Sequence, residues 1–475
     1  MKSRLLPAAL LLAPAAALSA ADKPNIIFIL TDDQGYGDLS CTGNPILKTP
    51  NMDRLHDEGV RFNDFHVSPT CSPTRSALMT GRHPFKNGVT HTIYERERLT
   101  LKATTIAQAL QSAGYATGIF GKWHLGDEDA YQPDQRGFDE VFIHGAGGIG
   151  QSYPGSCGDV PGNRYFDPVI KHNGTFEKTS GYCTDVFFAQ AMTWIESQKD
   201  GKPFFCYLAT NAPHVPLQVR PEDEARYKGK VPDDTAKFFG MIANIDDNIG
   251  QMLAKLKALE LDDNTLIVFM TDNGTAGGRK VFNAGMRGAK GSVSQGGTRA
   301  ASFWRWPGTL KPADVKPLAA HIDVFPTLAE LAGAALGDEL RQQVEGRSLV
   351  PLLLNPDAAW PDRMLVTHGG RWPKGEPPRK SRSWRVRDSR YCLVSRSDLR
   401  LYDLQADPRE SRDVSGEHPN IVRAFSVAYE TWWDETVPLL VNEDAWKTAP
   451  AMNPFREQYD KQFGSGPAAG PEDRE

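Results

Sequence analysis

Two apolar runs end in the same polar signature: "NIIFILTDD" closes on Thr31, Asp32 and Asp33, and "TLIVFMTDN" closes on Thr271, Asp272 and Asn273. Three carboxylates brought within about 4 Å repel by roughly 4 kcal/mol per pair at an effective dielectric of about 20, so something positive must hold them together. Oxygen ligands without imidazole or thiolate favour a hard divalent ion, Ca2+ or Mg2+. Strand-end aspartates are commonly turn formers or caps, and it is the repetition on two apolar runs that favours metal. A second group is "CSPTR", in which Cys71 precedes Arg75 and a small-residue run, "SALMTGR", that reads as the first turns of a helix. From its residues alone Cys71 has three possible fates: a thiol nucleophile, half of a disulfide, or the precursor of another group. In "GKWHLG", Lys122 and His124 stand two apart and point the same way if the strand continues through them.

The elements that must position these groups are legible as periodicity. Four apolar runs, residues 25–35, 115–126, 203–214 and 265–274, read as buried parallel strands with polar endings. Between them, "TTIAQALQSAG" closes on Gly114, and "FFGMIANIDDNIGQMLAKLKAL" places Ile242, Ile245, Ile249, Met252, Leu253 and Leu256 on one helical face. The expected fold is α/β: a large doubly wound sheet, mostly parallel, with helices on both faces. Its working crevice lies beyond the carboxyl ends of the strands, where the four polar endings converge. After "LLNPDAAWPDR" (353–363) the pattern shifts to short alternating runs that predict a small antiparallel sheet. "HIDVFPTLAEL" reads as a helix start capped by Asp323, and His83, His91, His144, His172 and His321 are taken as structural.

Composition bounds the class. With 475 residues, 40% hydrophobic and 24% charged, the chain carries a large core, and a net charge of −5 argues against nucleic acid. Lys2 and Arg4, an apolar run broken by Pro7 and Pro14, and Ser19, Ala20 and Ala21 form a secretory signal pattern too short to span a bilayer, which implies a periplasmic or secreted protein with no transmembrane segment. Six cysteines are too few for a disulfide framework; Cys157 and Cys183, flanking a Gly-rich insertion, are the expected pair, and Cys206 is expected as a packed thiol. The organisation is a signal peptide (1–21), a catalytic α/β domain (22–360), a C-terminal subdomain (361–463) and a disordered tail (464–475).

"CSPTRSALMTGR", together with "LTDDQGYGDL", "GKWHLG", "APH", "TDNG" and "RGAKGSVSQGGTR" in that order over residues 24–335, resembles the formylglycine-dependent sulfatases of the alkaline phosphatase superfamily. The resemblance implies that Cys71 is oxidised by a formylglycine-generating maturation enzyme. One hydroxyl of the hydrated aldehyde would attack sulfur and the other would later expel sulfate, a release that a plain thiol cannot perform. A helix N-terminus suits that nucleophile and a sulfate oxyanion. The resemblance further implies that Asp32, Asp33, Asp272 and Asn273, with an oxygen of the residue made from Cys71, bind one Ca2+. Arg75 would steady the hydrate and the carboxylates, and Lys122 would anchor sulfate and hydrate. His124 would be the base that breaks down the sulfated intermediate, while His214 and Lys290 would face the leaving-group oxygen, His214 being the better proton donor.

Two rival readings remain at this stage. A phosphodiesterase or phosphonate monoester hydrolase of the same superfamily commonly has Asp-His where this chain has Asp272-Asn273, and a non-catalytic sulfated-glycan-binding protein would need no proton donor. Substrate class is read from "RWPKGEPPRKSRSWRVR" (371–387), where basic residues surround Trp372 and Trp384. Either this is a solvated basic loop beside a strand whose tryptophans pack into the small sheet, or the indoles stack on sugar rings while the cations meet flanking sulfates, which predicts a sulfated carbohydrate. The stretch 144–168 is expected to form one wall of the cleft.

Overall fold

A computed structural model describes residues 23–153, 156–448 and 453–464; the expected signal peptide and the expected disordered tail beyond residue 464 lie outside the described residues. The strands are β1 (Asn25–Thr31), β2 (Val60–Phe62), β3 (Phe65–His66), β4 (Ala116–Lys122), β5 (Glu140–His144), β6 (Val169–His172), β7 (Thr175–Lys178), β8 (Phe204–Ala209), β9 (Thr265–Thr271), β10 (Ser302–Arg305), β11 (Ala313–Val315), β12 (Ala319–Ala320), β13 (Leu365–His368), β14 (Trp384–Arg387), β15 (Tyr391–Ser395) and β16 (Leu399–Asp403). Ten of them form one sheet in the order β11-β2-β10-β9-β1-β8-β4-β5-β6-β7. The four strands expected from the apolar runs are its contiguous centre, β9-β1-β8-β4, all parallel. Antiparallel strands are confined to the flanks, at β10 and at β6 and β7.

Side chains alternate along a strand, so β1 feeds two cores. Ile26, Phe28 and Leu30 meet the helices Ile106–Ser112 and Val324–Leu331 on one face. Ile27 and Ile29 meet Cys183–Ser197 and Asp233–Ala258 on the other. The long helix buries the six residues expected of it, and Ile106–Ser112 starts in a capping box between Thr105 and Gln108. The short alternating runs near the C-terminus form the antiparallel sheet β13-β14-β15-β16, against which the helix Pro419–Thr436 lays Tyr429, Trp432 and Trp433. Among the described residues, no helix is long and apolar enough to cross a membrane.

Two expectations fail here, and of the two readings of Trp372 and Trp384 only packing into the core survives. Cys157 and Cys183 are both free: Cys183 opens a helix inside the second core, while Cys157 neighbours the Ser156 hydroxyl and the Thr92 carbonyl. Asp323 stands at the helix start but does not cap it forward. Its carboxylate turns back to accept from the amides of Ala320 and Arg347 and to pair with Arg363. Trp372 and Trp384 cannot stack on sugars, because both are buried: Trp372 donates to Glu443, and Trp384 stacks on Tyr429 with ring centroids 4.0 Å apart. Cys206, by contrast, is the packed thiol expected within β8.

Candidate active site

The carboxyl ends of β1 and β9 lie side by side, with Thr31 paired to Thr271, so the residues that follow each strand must meet. Asp32 and Asp33 are sequence neighbours that a continuing strand would send to opposite faces. Asp33 instead adopts a left-handed backbone, φ 68°, and its amide donates to Asp272 Oδ1 at 3.1 Å. One oxygen from each of Asp32, Asp33 and Asp272 thereby comes within 4.8 Å of the others, all three residues buried. Asn273 donates to Asp33 Oδ1 at 3.0 Å, while its own Oδ1 and Asp32 Oδ1 are buried without partners. Such oxygen-only orphans fit a hard divalent cation.

Cys71 lies beside this cluster as the first residue of the helix Cys71–Thr80, one motif earlier than the run after Arg75 suggested. Pro73 is tolerated in the first turn, where its missing N–H would have no intrahelical acceptor, and Gly81 closes the helix at φ 69° with its amide on Ala77 O. The helix is buried along its whole length, packed against the helices Ile106–Ser112 and Val324–Leu331 and the turns Pro84–Asn87 and His321–Asp323. Burial pushes the Cys71 thiol up, with the Lys122 charge opposing, so it does not favour a thiolate.

Three cations close the site. Arg75 donates to Asp272 Oδ2 at 3.1 Å and to Lys122 O at 2.9 Å. Lys122 pairs with Asp32, and Lys290 reaches Asp33 Oδ2 at 2.8 Å. Burial works against ionisation of both Asp32 and Asp272. Lys122, His214 and Arg75 nevertheless hold Asp32 low, whereas the Asp32 charge helps push Asp272 up. A cation shared by the cluster removes that conflict.

β4 ends at Lys122, so the continuing strand expected through His124 is not there; His124 sits in a left-handed turn, φ 59°. Its Nε2–H donates to Thr92 O at 2.8 Å, leaving Nδ1 buried with no protein partner. Burial, then Lys122, holds this imidazole neutral. His214, after β8, donates from Nδ1 to Val215 O at 2.8 Å and turns Nε2 toward Asp33 Oδ2, 3.7 Å away. Burial also lowers its pKa, with Asp33 opposing. Ten residues expected at the site therefore gather here: Asp32, Asp33, Lys122, His124, His214, Asp272 and Asn273 at the ends of β1, β4, β8 and β9, Cys71 and Arg75 on the helix Cys71–Thr80, and Lys290 from the loop after β9.

Several supporting residues carried no signal in the sequence. Tyr165 donates to His214 O at 2.7 Å and receives the Asn211 amide at 2.5 Å, fixing the His214 turn. The Gly-rich wall does lie over the site: a Cβ at Gly147 would come within 2.3 Å of His124 Cε1, and one at Gly148 within 3.1 Å of His214 Nδ1. That loop is anchored by Asp127, which accepts from the amides of Ala146 and Gly158, and by Asp159, which accepts from those of Gly145 and Gly150. The Lys290 loop is tied to the nucleophile by Gly291 N on Pro69 O at 2.8 Å, and to the C-terminal sheet by Arg287 on the Tyr402 hydroxyl at 3.2 Å.

Comparisons with known proteins point the same way. The family model described as Sulfatase matches residues 24–334, and one described as N-sulphoglucosamine sulphohydrolase, C-terminal, matches 293–425. Human arylsulfatase A is 30% identical over 469 residues, covering 88% of this chain and 89% of that protein. Human N-acetylgalactosamine-6-sulfatase is 32% identical over 359 residues, covering 71% and 67%. The solved structure of Ps i-CgsB in complex with k-i-k-neocarrahexaose superposes with a TM-score of 0.78 at 28% identity, over 93% of this chain and 100% of that one. Carboxylates, cations and a helix-borne cysteine gathered on this sheet, with matches of this extent, make the chain a member of the sulfatase family and an enzyme of that kind.

Proposed function

We propose that the protein hydrolyses a sulfate ester on a carbohydrate, with formylglycine made from Cys71 as nucleophile and one Ca2+ held by Asp32, Asp33, Asp272 and Asn273. The observation that carries this reading is the buried oxygen cluster, with the orphaned Oδ1 atoms of Asp32 and Asn273, beside a cysteine at a helix N-terminus. When bound, the ion would orient the sulfate group and withdraw charge from it; formylglycine, once formed, would supply a hydrate able to attack sulfur and then release sulfate. Carbohydrate as the substrate class is supported by relatives such as N-acetylgalactosamine-6-sulfatase and by the neighbour bound to neocarrahexaose.

The chain's own residues have separable roles. Asp32, Asp33 and Asp272 oppose Arg75, Lys122 and Lys290, three charges against three, so the divalent ion leaves two positive charges for a singly charged sulfate ester and an oxyanion. Arg75 fixes both Asp272 and the end of β4, which holds Lys122 and the helix N-terminus in register. His124, neutral with its Nδ1 lone pair free, suits proton acceptance. Lys290 and His214 approach Asp33 Oδ2 together and are assigned to the leaving-group oxygen. We assign the enzyme to the periplasm or the extracellular space on the pattern of residues 1–21.

Maturation is the deciding test. Protein made alongside a formylglycine-generating system should yield a "CSPTR" peptide whose mass shows an aldehyde in place of the thiol. Fully active protein with an unmodified Cys71 would overturn the mechanism, and Cys71→Ala should abolish turnover.

A further inference from the structure

The basic stretch 371–387 divides into two kinds of cation. Arg379 pairs with Glu376, Lys380 with Glu430, Arg385 with Glu410 and Arg387 with Asp64. Arg371, Lys374 and Arg382 have no carboxylate partner among the described residues. Register places two of them together. β13 and β14 pair His368 with Trp384, and beyond the ladder Gly369 N donates to Ser383 O at 2.8 Å, so Arg371 and Arg382 emerge at the same end of the hairpin. That end is fastened toward the active site, because Arg371 N donates to Thr90 O at 3.1 Å and a Cβ at Gly370 would lie 2.2 Å from the same oxygen.

Thr90 begins a short path to the chemistry. Two residues further on, Thr92 O holds His124, and two residues of chain span at most about 7 Å. Between them stands His91, buried, its Nδ1 accepting from the amides of Thr92 at 2.7 Å and Ile93 at 3.1 Å. That pattern puts the proton on Nε2, and this N–H has no protein acceptor among the described residues. Burial, and then the charges of Arg371, Arg96 and Arg382, keep the ring neutral; burial, Arg379 and Arg371 likewise depress Arg382. Lys374 extends the cationic rim, its ammonium 5.3 Å from the Tyr94 ring centroid and 5.0 Å from that of Trp446.

Like charges gathered with no carboxylate paired to them, Glu376 acting on Arg382 but bound to Arg379, next to an unused N–H donor, lower their free energy when an anion arrives. We propose that Arg371, Arg382 and the His91 Nε2–H form a subsite for a second anionic substituent, sulfate or carboxylate, on the glycan whose sulfate ester is cleaved. This rests on the sulfatase reading of the site and extends it: the preferred substrate carries more than one negative group. Trp372 and Trp384 support the scaffold of this subsite from within the core and do not touch sugar.

The test compares four probes at low salt: a small aryl sulfate, a monosulfated disaccharide, the same disaccharide with a second sulfate, and one with a hexuronate beside the sulfated sugar. In the Arg371→Gln/Arg382→Gln double variant, KM for the doubly anionic probes should rise about tenfold relative to KM for the singly charged ones, and the gap should shrink as salt is added. Whichever doubly charged probe shows the larger shift identifies the anion. The paired substitution Glu376→Gln/Arg379→Gln, which removes a charge together with its counter-charge, should leave the ratio alone. Equal KM shifts on all probes, or an equal effect of Glu376→Gln/Arg379→Gln, would overturn the subsite. Calorimetric titration of Cys71→Ala protein with the disulfated disaccharide separates the two readings. If the wild type cleaves none of the probes but this binding occurs and is lost in the double variant, the hydrolytic reading fails and the subsite stands; absence of binding to Cys71→Ala protein overturns the subsite.

Discussion

At the scale of single residues, what decides chemistry here is which nitrogen of each imidazole is already engaged. His214 spends Nδ1–H on Val215 O, so only Nε2 can serve a leaving group; His124 spends Nε2–H on Thr92 O, so only Nδ1 can accept a proton. If His214 protonates the departing oxygen, His214→Ala should cost about a hundredfold or more in kcat on alkyl sulfates with poor leaving groups and much less on activated aryl sulfates. Equal losses on the two would reassign His214 to binding. The expectation that His214 titrates near neutrality needs revising, since burial lowers it even with Asp33 beside it. Reactive residue types were legible in the sequence because each sits in a short motif, at a strand end for most and at a helix start or in a loop for Cys71 and Lys290. Thr92, Asn211 and Tyr165 were not, because they act through a carbonyl, an amide and a hydroxyl that any loop offers.

Elements explain how the motifs converge and which substitutions they forbid. Gly147→Ala should leave thermal stability nearly intact and lower kcat by about tenfold or more, because the added Cβ must displace the His124 ring, and small misplacements of catalytic groups are costly. A Gly147→Ala enzyme of unchanged kcat would mean that the wall yields without disturbing the ring. The neighbouring segment gives a pH signature. Glu97 is buried, and burial, reinforced by Asp127, Glu95 and Glu128, pushes its carboxyl up to about 8. The folded state therefore holds a proton that the unfolded chain releases near pH 4.5; stability from this group is complete below that point and is lost as pH rises toward 8. Glu97→Gln should flatten the fall in Tm between pH 5 and pH 8, and an unaltered slope would remove Glu97 as its cause. The four central strands and the long helix were readable as periodicity, because buried parallel strands are apolar throughout. Trp372 and Trp384 left two readings open, since an indole among cations looks the same in sequence whether it faces a sugar or, like Trp384, a Tyr429 ring.

Over the whole molecule, the carboxylate cluster ties together parts of the chain that are distant in sequence, β1 and β9, and the C-terminal sheet braces the Lys290 loop. Chelation should abolish activity and lower Tm, and Ca2+ should restore both better than Zn2+; ligand at a hundredfold excess over Kd adds about 2.7 kcal/mol to the folded state. Asp272→Ala should lose the Ca2+-dependent rise in Tm, and superior rescue by Zn2+ would refute a hard-ion site. The helix Pro454–Phe463 completes the assembly by capping the last strand of the large sheet, where Gln462 both accepts from Phe176 N and donates to Phe176 O at 2.8 Å, leaving no free edge at that residue for another chain to join. Which element would cover that edge could not be inferred from the sequence, since nothing in the short run 454–463 names β7 as its partner.

Cys71 is 2% exposed in the finished fold, walled in by strands that begin at Asn25, Ala116, Phe204 and Thr265. If Cys71 is converted as proposed, a modifying enzyme could not grip "CSPTR" once those strands have closed, and the conversion would be a matter of timing as much as of recognition. The closure is late by construction: β1 cannot gain its neighbour β9 until the chain has grown beyond Thr271, and pairing between such distant segments is slow. Synthesis order thus gives the cysteine an interval of accessibility that ends with folding itself, and on the proposed mechanism a molecule that folded before modification would be locked out of activity for as long as it remained folded.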